Sequence, residues 1–134
     1  MRIDKKVYKY IDYELLHYED NKKRLDEIRE EILEASPLPP DGQPHGQGGN
    51  SNPTEQKAVK LISSVALMKI EKTIGAIDKV YDRLENDHKK FFDWNYKKNA
   101  GIVRTCQEVG IAERTYYNMR DKIVYNVGME LGLI

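Results

Sequence analysis

Residues 102–121 read I-V-R-T-C-Q-E-V-G-I-A-E-R-T-Y-Y-N-M-R-D, and this stretch decides the fold. A helix-turn-helix needs a small residue where its two helices come closest, and a glycine four residues later where the chain turns left-handed. Cys106 is the small residue and Gly110 is the turn glycine. The spacing predicts a second helix that begins near Ala112 or Glu113. The residues expected on the inner faces of the two helices are Val109, Ile111, Tyr116 and Met119.

The second helix of such a motif presents its outward face to the major groove of double-stranded DNA. Arg can read guanine and Asn can read adenine through paired hydrogen bonds, which are the roles expected of Arg114 and Asn118. Thr115, Tyr117 and Lys122 suit phosphate contacts, although a solvated surface position is the alternative for each single residue. The candidate DNA-binding residues are Lys97, Lys98, Arg104, Glu113, Arg114, Thr115, Tyr117, Asn118, Asp121 and Lys122.

The whole chain divides into four segments, the last of which contains this motif. Apolar residues at steps of three and four predict one long helix over residues 1–35 and a second over residues 54–85. Residues 36–53 hold all five prolines and four of the nine glycines, which predicts a connecting loop. Residues 86–134 form the domain that contains the motif. The expected fold is all-α: a long antiparallel helical hairpin followed by a C-terminal helix-turn-helix three-helix domain.

Local signals predict where helices begin. Asn52 is a plausible N-cap for the second long helix, and Pro53 fits its first position. Asn86 or Asp87 is the next expected N-cap. A short aromatic helix is expected around Lys89–Lys97.

The charge of the chain is balanced, with 22 basic and 22 acidic residues. This balance does not favour DNA binding by itself, because affinity for the duplex comes largely from neutralised phosphates. Residues 86–134 carry 8 basic and 6 acidic groups, a net of only +2. A monomer should therefore bind weakly, which favours a homo-oligomer formed through the long helices.

Other function classes find little support. A single cysteine excludes an internal disulfide framework. The sequence has no secretory segment and no long apolar run, so we expect a cytoplasmic protein without a membrane span. His17, His45 and His88 are scattered, and no metal site or cofactor is expected. We therefore expect neither an enzyme nor a small-molecule substrate.

Two further stretches carry a family resemblance: S-P-L-P-P-D-G at residues 36–42 and N-P-T-E at residues 52–55. Together with V-G-I-A-E-R-T-Y-Y at residues 109–117, they make the chain resemble the RinA-like activators of phage late transcription. That family is related in architecture to the ArpU-like regulators, and its C-terminal segment resembles region 4 of sigma factors. The resemblance implies a protein that binds a promoter in the bacterial host, engages RNA polymerase and switches on a phage operon, such as the packaging and structural genes.

Three positions depart from the family pattern. Ala112 stands where the family typically has Ser, so the second helix of the motif loses an N-cap oxygen at a cost of roughly 1 kcal/mol. Ile102 replaces a typical aromatic residue, and Thr105 replaces a typical apolar residue. These changes predict a looser first helix in the motif.

Two other binding roles stay open from the sequence. A phage terminase small subunit also joins a DNA-binding helix-turn-helix to long oligomerising helices, but it would form a ring. A helical protein-interaction module with a degenerate motif is the second alternative. The mass in solution would separate the terminase from the regulator.

Overall fold

Apolar side chains at three- and four-residue spacing produce the helices of this protein. The structure, a computed structural model, describes residues 3–35 and 53–134. Within those residues it is all-helical and contains no strand, which confirms the predicted fold class. The elements are α1 (Lys5–Leu16), α2 (Tyr18–Ala35), α3 (Pro53–Arg83), α4 (Asn86–Phe92), a π-helical turn (Asp93–Lys97), α5 (Gly101–Val109) and α6 (Glu113–Glu130).

The predicted loop at residues 36–53 lies outside the described residues apart from Pro53, and so does the N-cap predicted at Asn52. Pro53 is the first residue of α3. A proline is well accommodated there, because its fixed φ suits a helix and its missing N–H would have no partner within the helix.

The single long helix predicted for residues 1–35 is divided at His17 into α1 and α2. His17 has φ −101° and ψ 10°, and its Nδ1 lies 2.8 Å from the carbonyl oxygen of Tyr13. Its ring also stacks on the Tyr13 ring, with the centroids 4.0 Å apart. The bend has a packing reason: α1 lies against α6 and the π-turn, whereas α2 packs mainly along α3. Each half of the predicted helix therefore follows a different neighbour.

Helices α2 and α3 run side by side in opposite directions. Near the start of α2, the Tyr18 hydroxyl donates a hydrogen bond to Asp78, and further along Arg29 pairs with Glu71 at 2.8 Å. Because Arg29 follows Tyr18 in α2 while its partner Glu71 precedes Asp78 in α3, the two helices are antiparallel. We call the paired helices α2 and α3 the arm.

The core is built around the aromatic residues of α4 and the π-turn. Phe92 is fully buried, and its ring meets those of Tyr18, Tyr81 and Tyr96 at centroid distances of 5.8, 5.1 and 5.3 Å. Burying one such side chain stabilises a fold by about 1.5–3 kcal/mol. Aliphatic side chains of α1, α3 and α6 complete this core: Ile11, Leu15, Ile77, Val80, Ile123, Val124 and Val127.

The start of α4 differs from the prediction. The N-cap residue is Glu85 rather than Asn86 or Asp87, and its side chain makes no capping hydrogen bond. The predicted caps were wrong because both residues already lie within the first turn of the helix. The negative charge of Asp87 in that turn still stabilises the helix, because it lies near the positive end of the helix dipole.

The segment after α4 closes as a π-turn. The N–H of Lys98 donates to the carbonyl oxygen of Asp93 at 2.9 Å, a step of five residues. Phe91, Asn95 and Tyr96 are all buried, with Asn95 only 4% exposed. The segment therefore places the polar side chain of Asn95 in the core beside two aromatic ones.

Phe92→Ala tests the central place of this aromatic cluster. The substitution should lower the free energy of unfolding by about 3–5 kcal/mol, because it leaves a cavity among three tyrosine rings. Tyr10→Ala, at a site 38% exposed, should change it by about 1 kcal/mol or less. Urea unfolding followed by circular dichroism measures both, and equal losses would contradict the assignment of the core.

Candidate nucleic-acid interface

A left-handed glycine joins α5 to α6. Gly110 has φ 77° and ψ 42°, and its N–H donates to the carbonyl oxygen of Cys106 at 2.9 Å. The N–H of Ile111 donates to the same oxygen at 3.0 Å. A side chain at position 110 would cost about 1–2 kcal/mol in this backbone region. Three residues thus suffice to connect the two helices.

Tyr116 anchors α6 to the rest of the protein. It is only 6% exposed, its ring packs on Phe91 at 5.2 Å, and its hydroxyl donates to Oδ1 of Asn95 at 2.8 Å. The other residues expected on the inner faces are half-buried against the same core: Cys106, Val109, Ile111 and Met119. Burial raises the pKa of the Cys106 thiol, with a smaller contribution from Glu113, which favours the neutral packing role expected of it.

Thr105 is the one polar residue of α5 that is fully buried. Its exposed fraction is zero, and its hydroxyl oxygen has no hydrogen-bond partner among the described residues. This position is the one where the RinA-like pattern has an apolar residue. A buried hydroxyl without a partner costs about 1–3 kcal/mol, so the first helix of the motif carries a local penalty.

The first residue of α6 is Glu113, as the sequence predicts. Ala112 holds the N-cap position with φ −78° and ψ 161°, and no side chain caps the helix. The carboxylate of Glu113 in the first turn partly compensates, because negative charge is favourable near the positive end of the helix dipole.

The outward face of α6 is open to solvent. Tyr117 is 41% exposed, and Thr115 is half-buried at the edge of the face. The other exposed residues of this face are Glu113, Arg114, Asn118, Asp121 and Lys122.

The three basic residues expected at the approach to the motif separate into two groups. Lys98 and Arg104 both lie over the ring of Trp94, at 3.8 and 5.7 Å from its centroid. Arg104 also pairs with Glu108 at 3.2 Å. Lys97 turns the other way, toward Asp93 at 3.5 Å and the Tyr81 ring. The structure thus brings two of the three cations together on one indole.

Sequence reasoning missed Arg120, which links α6 to α1. Its Nε donates to the hydroxyl oxygen of Tyr8 at 2.7 Å, and that hydroxyl donates in turn to Asp121 at 2.7 Å. The guanidinium group also lies over the rings of Tyr8 and Tyr117, at 5.3 and 5.1 Å. Its position in the sequence could have indicated an inward-facing side chain, because Arg120 follows buried Tyr116 by four residues and precedes buried Val124 by four.

The contact with α6 changes the pKa of the Tyr8 hydroxyl. Burial, together with the hydrogen bond to Asp121, raises the pKa of Tyr8 well above its ordinary value. The hydroxyl therefore keeps its proton at neutral pH and remains a donor to the carboxylate. Asp121, one of the two acidic residues on the outward face, is thus tied to α1.

Two further findings concern the described residues only. No three of their His, Cys, Asp and Glu side chains come together in a way that could hold a metal ion. None of their helices is long and apolar enough to span a bilayer.

The sequence is similar to that of the transcriptional activator RinA of Staphylococcus phage phi11, with 25% identity over 124 residues. The similar region covers 91% of this chain and 88% of RinA. The resemblance to RinA-like activators is therefore confirmed over nearly the whole chain. No protein-family model matches the sequence, and no solved structure gives a significant match.

Thr105→Val should stabilise the protein by about 1 kcal/mol, because it keeps the shape of the side chain and removes the unpaired hydroxyl. Thr105→Ser is the matched control: it keeps the hydroxyl, deletes a buried methyl group and should destabilise by about 1 kcal/mol. Urea unfolding midpoints measure both. A less stable Thr105→Val protein would show that the hydroxyl has a partner that stabilises the native state.

Proposed function

We propose that this protein is a transcription regulator that binds double-stranded DNA, with α5 and α6 as a helix-turn-helix and α6 as the recognition helix. One observation carries the proposal: the inner face of α6 is buried through Tyr116, Ile123, Val124 and Val127, while its polar outward face is open to solvent. A helix held in this way can enter a major groove without rearranging the core. The short left-handed connection at Gly110 supports the same geometry.

Arg114 and Asn118 are the proposed base-reading residues. They lie four residues apart on one face of α6, and both are exposed. Arg can donate two hydrogen bonds to guanine, and Asn can pair with the edge of adenine. Glu113 stands beside them and can accept a hydrogen bond from a cytosine amine.

We call the exposed side of α6 that carries Glu113, Arg114 and Asn118 the reading face. Phosphate contacts are proposed for the residues around it. Thr115, Tyr117 and Lys122 flank it on α6, and Lys98 and Arg104 lie together on Trp94 at the approach. Such contacts set the register of a protein on DNA without reading sequence. Lys97 was expected in this group, but its contacts with Asp93 and Tyr81 make it the weakest member.

The relative supports activation as the direction of regulation. RinA is a transcriptional activator, and the similarity spans most of both proteins. We propose that this chain likewise activates a phage operon, such as the late packaging genes, by binding a promoter and engaging RNA polymerase. A regulatory role of this kind calls for no catalytic site.

The arm is the proposed site of self-association. Leu33, Val65 and Met68 are 74%, 58% and 68% exposed. Because Arg29 meets Glu71, Leu33 lies near the level of Val65 and Met68 on the neighbouring helix. Exposed apolar side chains grouped in this way favour an interface with a second copy. Two copies would double the phosphate contacts of a domain whose net charge is small.

Arg114→Ala and Asn118→Ala should each weaken binding to an enriched duplex by roughly 1–3 kcal/mol and relax the preference at one base pair. The duplexes would be selected by the full chain from a random-sequence pool, and affinity measured by gel shift. Asn126→Ala and Arg24→Ala, at exposed positions away from the reading face, are the matched controls and should leave affinity unchanged.

Unchanged affinity and base preference in both variants would remove α6 as the recognition helix. A full chain that enriches no sequence and shifts no duplex, even at low salt, would remove DNA binding altogether. Circular dichroism of each variant would establish that the helices are retained.

Sedimentation at micromolar concentration should show a species of twice 15.6 kDa. Met68→Lys should shift the population toward the monomer, because it places a charge in the proposed interface. Val103→Lys is the control, since Val103 is equally exposed at 69% but lies on α5 outside the arm. Only a 15.6 kDa species in the unaltered protein would contradict the dimer, and a much larger ring would favour the terminase alternative.

A further inference from the structure

The first turns of α1 carry a group of lysines that the proposed reading face does not use. Lys5 and Lys9 are exposed, and because they are four residues apart they project from the same side of the helix. Lys6 lies between them and is also exposed. Nothing in the sequence connects these residues with the motif, which begins about a hundred residues later.

The structure places this end of α1 beside α6. Tyr8 is hydrogen-bonded to both Arg120 and Asp121. One turn further along α1, the side chain of Ile11 lies next to Gly128, where an added Cβ would come within 2.9 Å of it. Both helices therefore advance in the same direction at their contact. Lys5, which precedes Tyr8 by three residues, consequently lies toward the N-terminal half of α6, and Lys9, which follows Tyr8 directly, lies near the level of Arg120 and Asp121.

The charges of Lys5 and Lys9 are available to a ligand. Neither forms an ion pair among the described residues. The nearest carboxylate in sequence, Asp4, caps α1 by accepting a hydrogen bond from the N–H of Lys6 at 2.8 Å. The carboxylate of Asp121 on the adjoining helix accepts the Tyr8 hydroxyl. Both carboxylates keep their charge, but neither is paired with Lys5 or Lys9.

We propose that Lys5 and Lys9 bind backbone phosphates of the DNA that α6 reads. The inference rests on the proposed function, and it extends the interface from the C-terminal motif to the N-terminal helix. Duplex DNA is the favoured polyanion because the two lysines flank Tyr8, which binds Asp121 on the outward face of α6, and a strand of phosphates runs along each side of the major groove. Tyr8 acts as a positioning residue that holds α1 at this edge.

This arrangement also bears on the small net charge of the C-terminal segment. Residues 86–134 contribute a net of only +2, but α1 adds cations at the same surface. Each phosphate that a lysine neutralises adds about 0.9 to the salt dependence of binding. Two lysines of α1 would therefore supply a measurable part of the affinity without reading any base.

The test measures the binding of the full chain to a random-sequence duplex of about 30 base pairs, roughly three helical turns. Fluorescence anisotropy is recorded between about 50 and 200 mM KCl. The double variant Lys5→Gln and Lys9→Gln should bind more weakly and lower the salt slope by about 1.8. The matched control, Lys23→Gln and Lys79→Gln, removes the same charge from exposed positions at the end of the arm away from Leu33, Val65 and Met68, and should leave the slope unchanged.

The outcomes separate this inference from the proposed function. If the unaltered chain binds and the α1 double variant keeps its slope, the α1 contact is wrong while DNA binding stands. If both double variants lower the slope equally, the effect is one of overall charge, and the α1 contact is again wrong. If the unaltered chain binds no duplex at the lowest salt, the proposed function fails as well. Circular dichroism and the unfolding midpoint check that Lys5→Gln and Lys9→Gln leave the fold intact.

Discussion

The hydrogen bond from Tyr116 to Asn95 sets the orientation of α6, and the accessible face of that helix depends on it. Both residues are buried, and the bond is 2.8 Å long. Rotating α6 away from this position would leave a phenol and an amide without partners in the core, at about 1–3 kcal/mol each. With Tyr116 fixed, the helical repeat turns Arg114 and Asn118 outward. Asn95, the acceptor of this bond, lies in the π-turn.

The motif at the C-terminus and the helix at the N-terminus share one core. Side chains of α1, α3, α4 and α6 belong to a single buried cluster, so the α5–α6 unit does not stand apart from the rest of the described chain. Polar contacts reinforce this joint: Tyr96 donates to Asp12 at 3.1 Å, and Arg120 donates to Tyr8. Burial raises the pKa of Tyr96 well above its ordinary value, so its hydroxyl remains a donor to the carboxylate. The position of the outward face of α6 is therefore coupled to α1.

Sequence patterns predicted what depends on local rules. The left-handed conformation of Gly110 and the start of α6 at Glu113 follow from backbone sterics and spacing within a few residues. The bend at His17 could not be predicted in this way, because the apolar spacing continues through it and the cause lies in the different neighbours of α1 and α2. Arg120 was missed for a related reason: an arginine in an apolar register signals a buried partner but does not identify Tyr8. The exposure of the outward face of α6 was expected, whereas the contact of α1 with that helix depends wholly on tertiary packing.

The central claim is that the outward face of α6 is the surface that meets DNA. It is tested most directly by assigning the backbone amide resonances of the full chain and titrating it with a duplex at low salt. The account predicts that the largest shifts fall on residues 113–122, with smaller ones on the first turns of α1, while the amides of α2 after Leu25 stay in place. Shifts confined to the arm, with residues 113–122 unmoved, would contradict it.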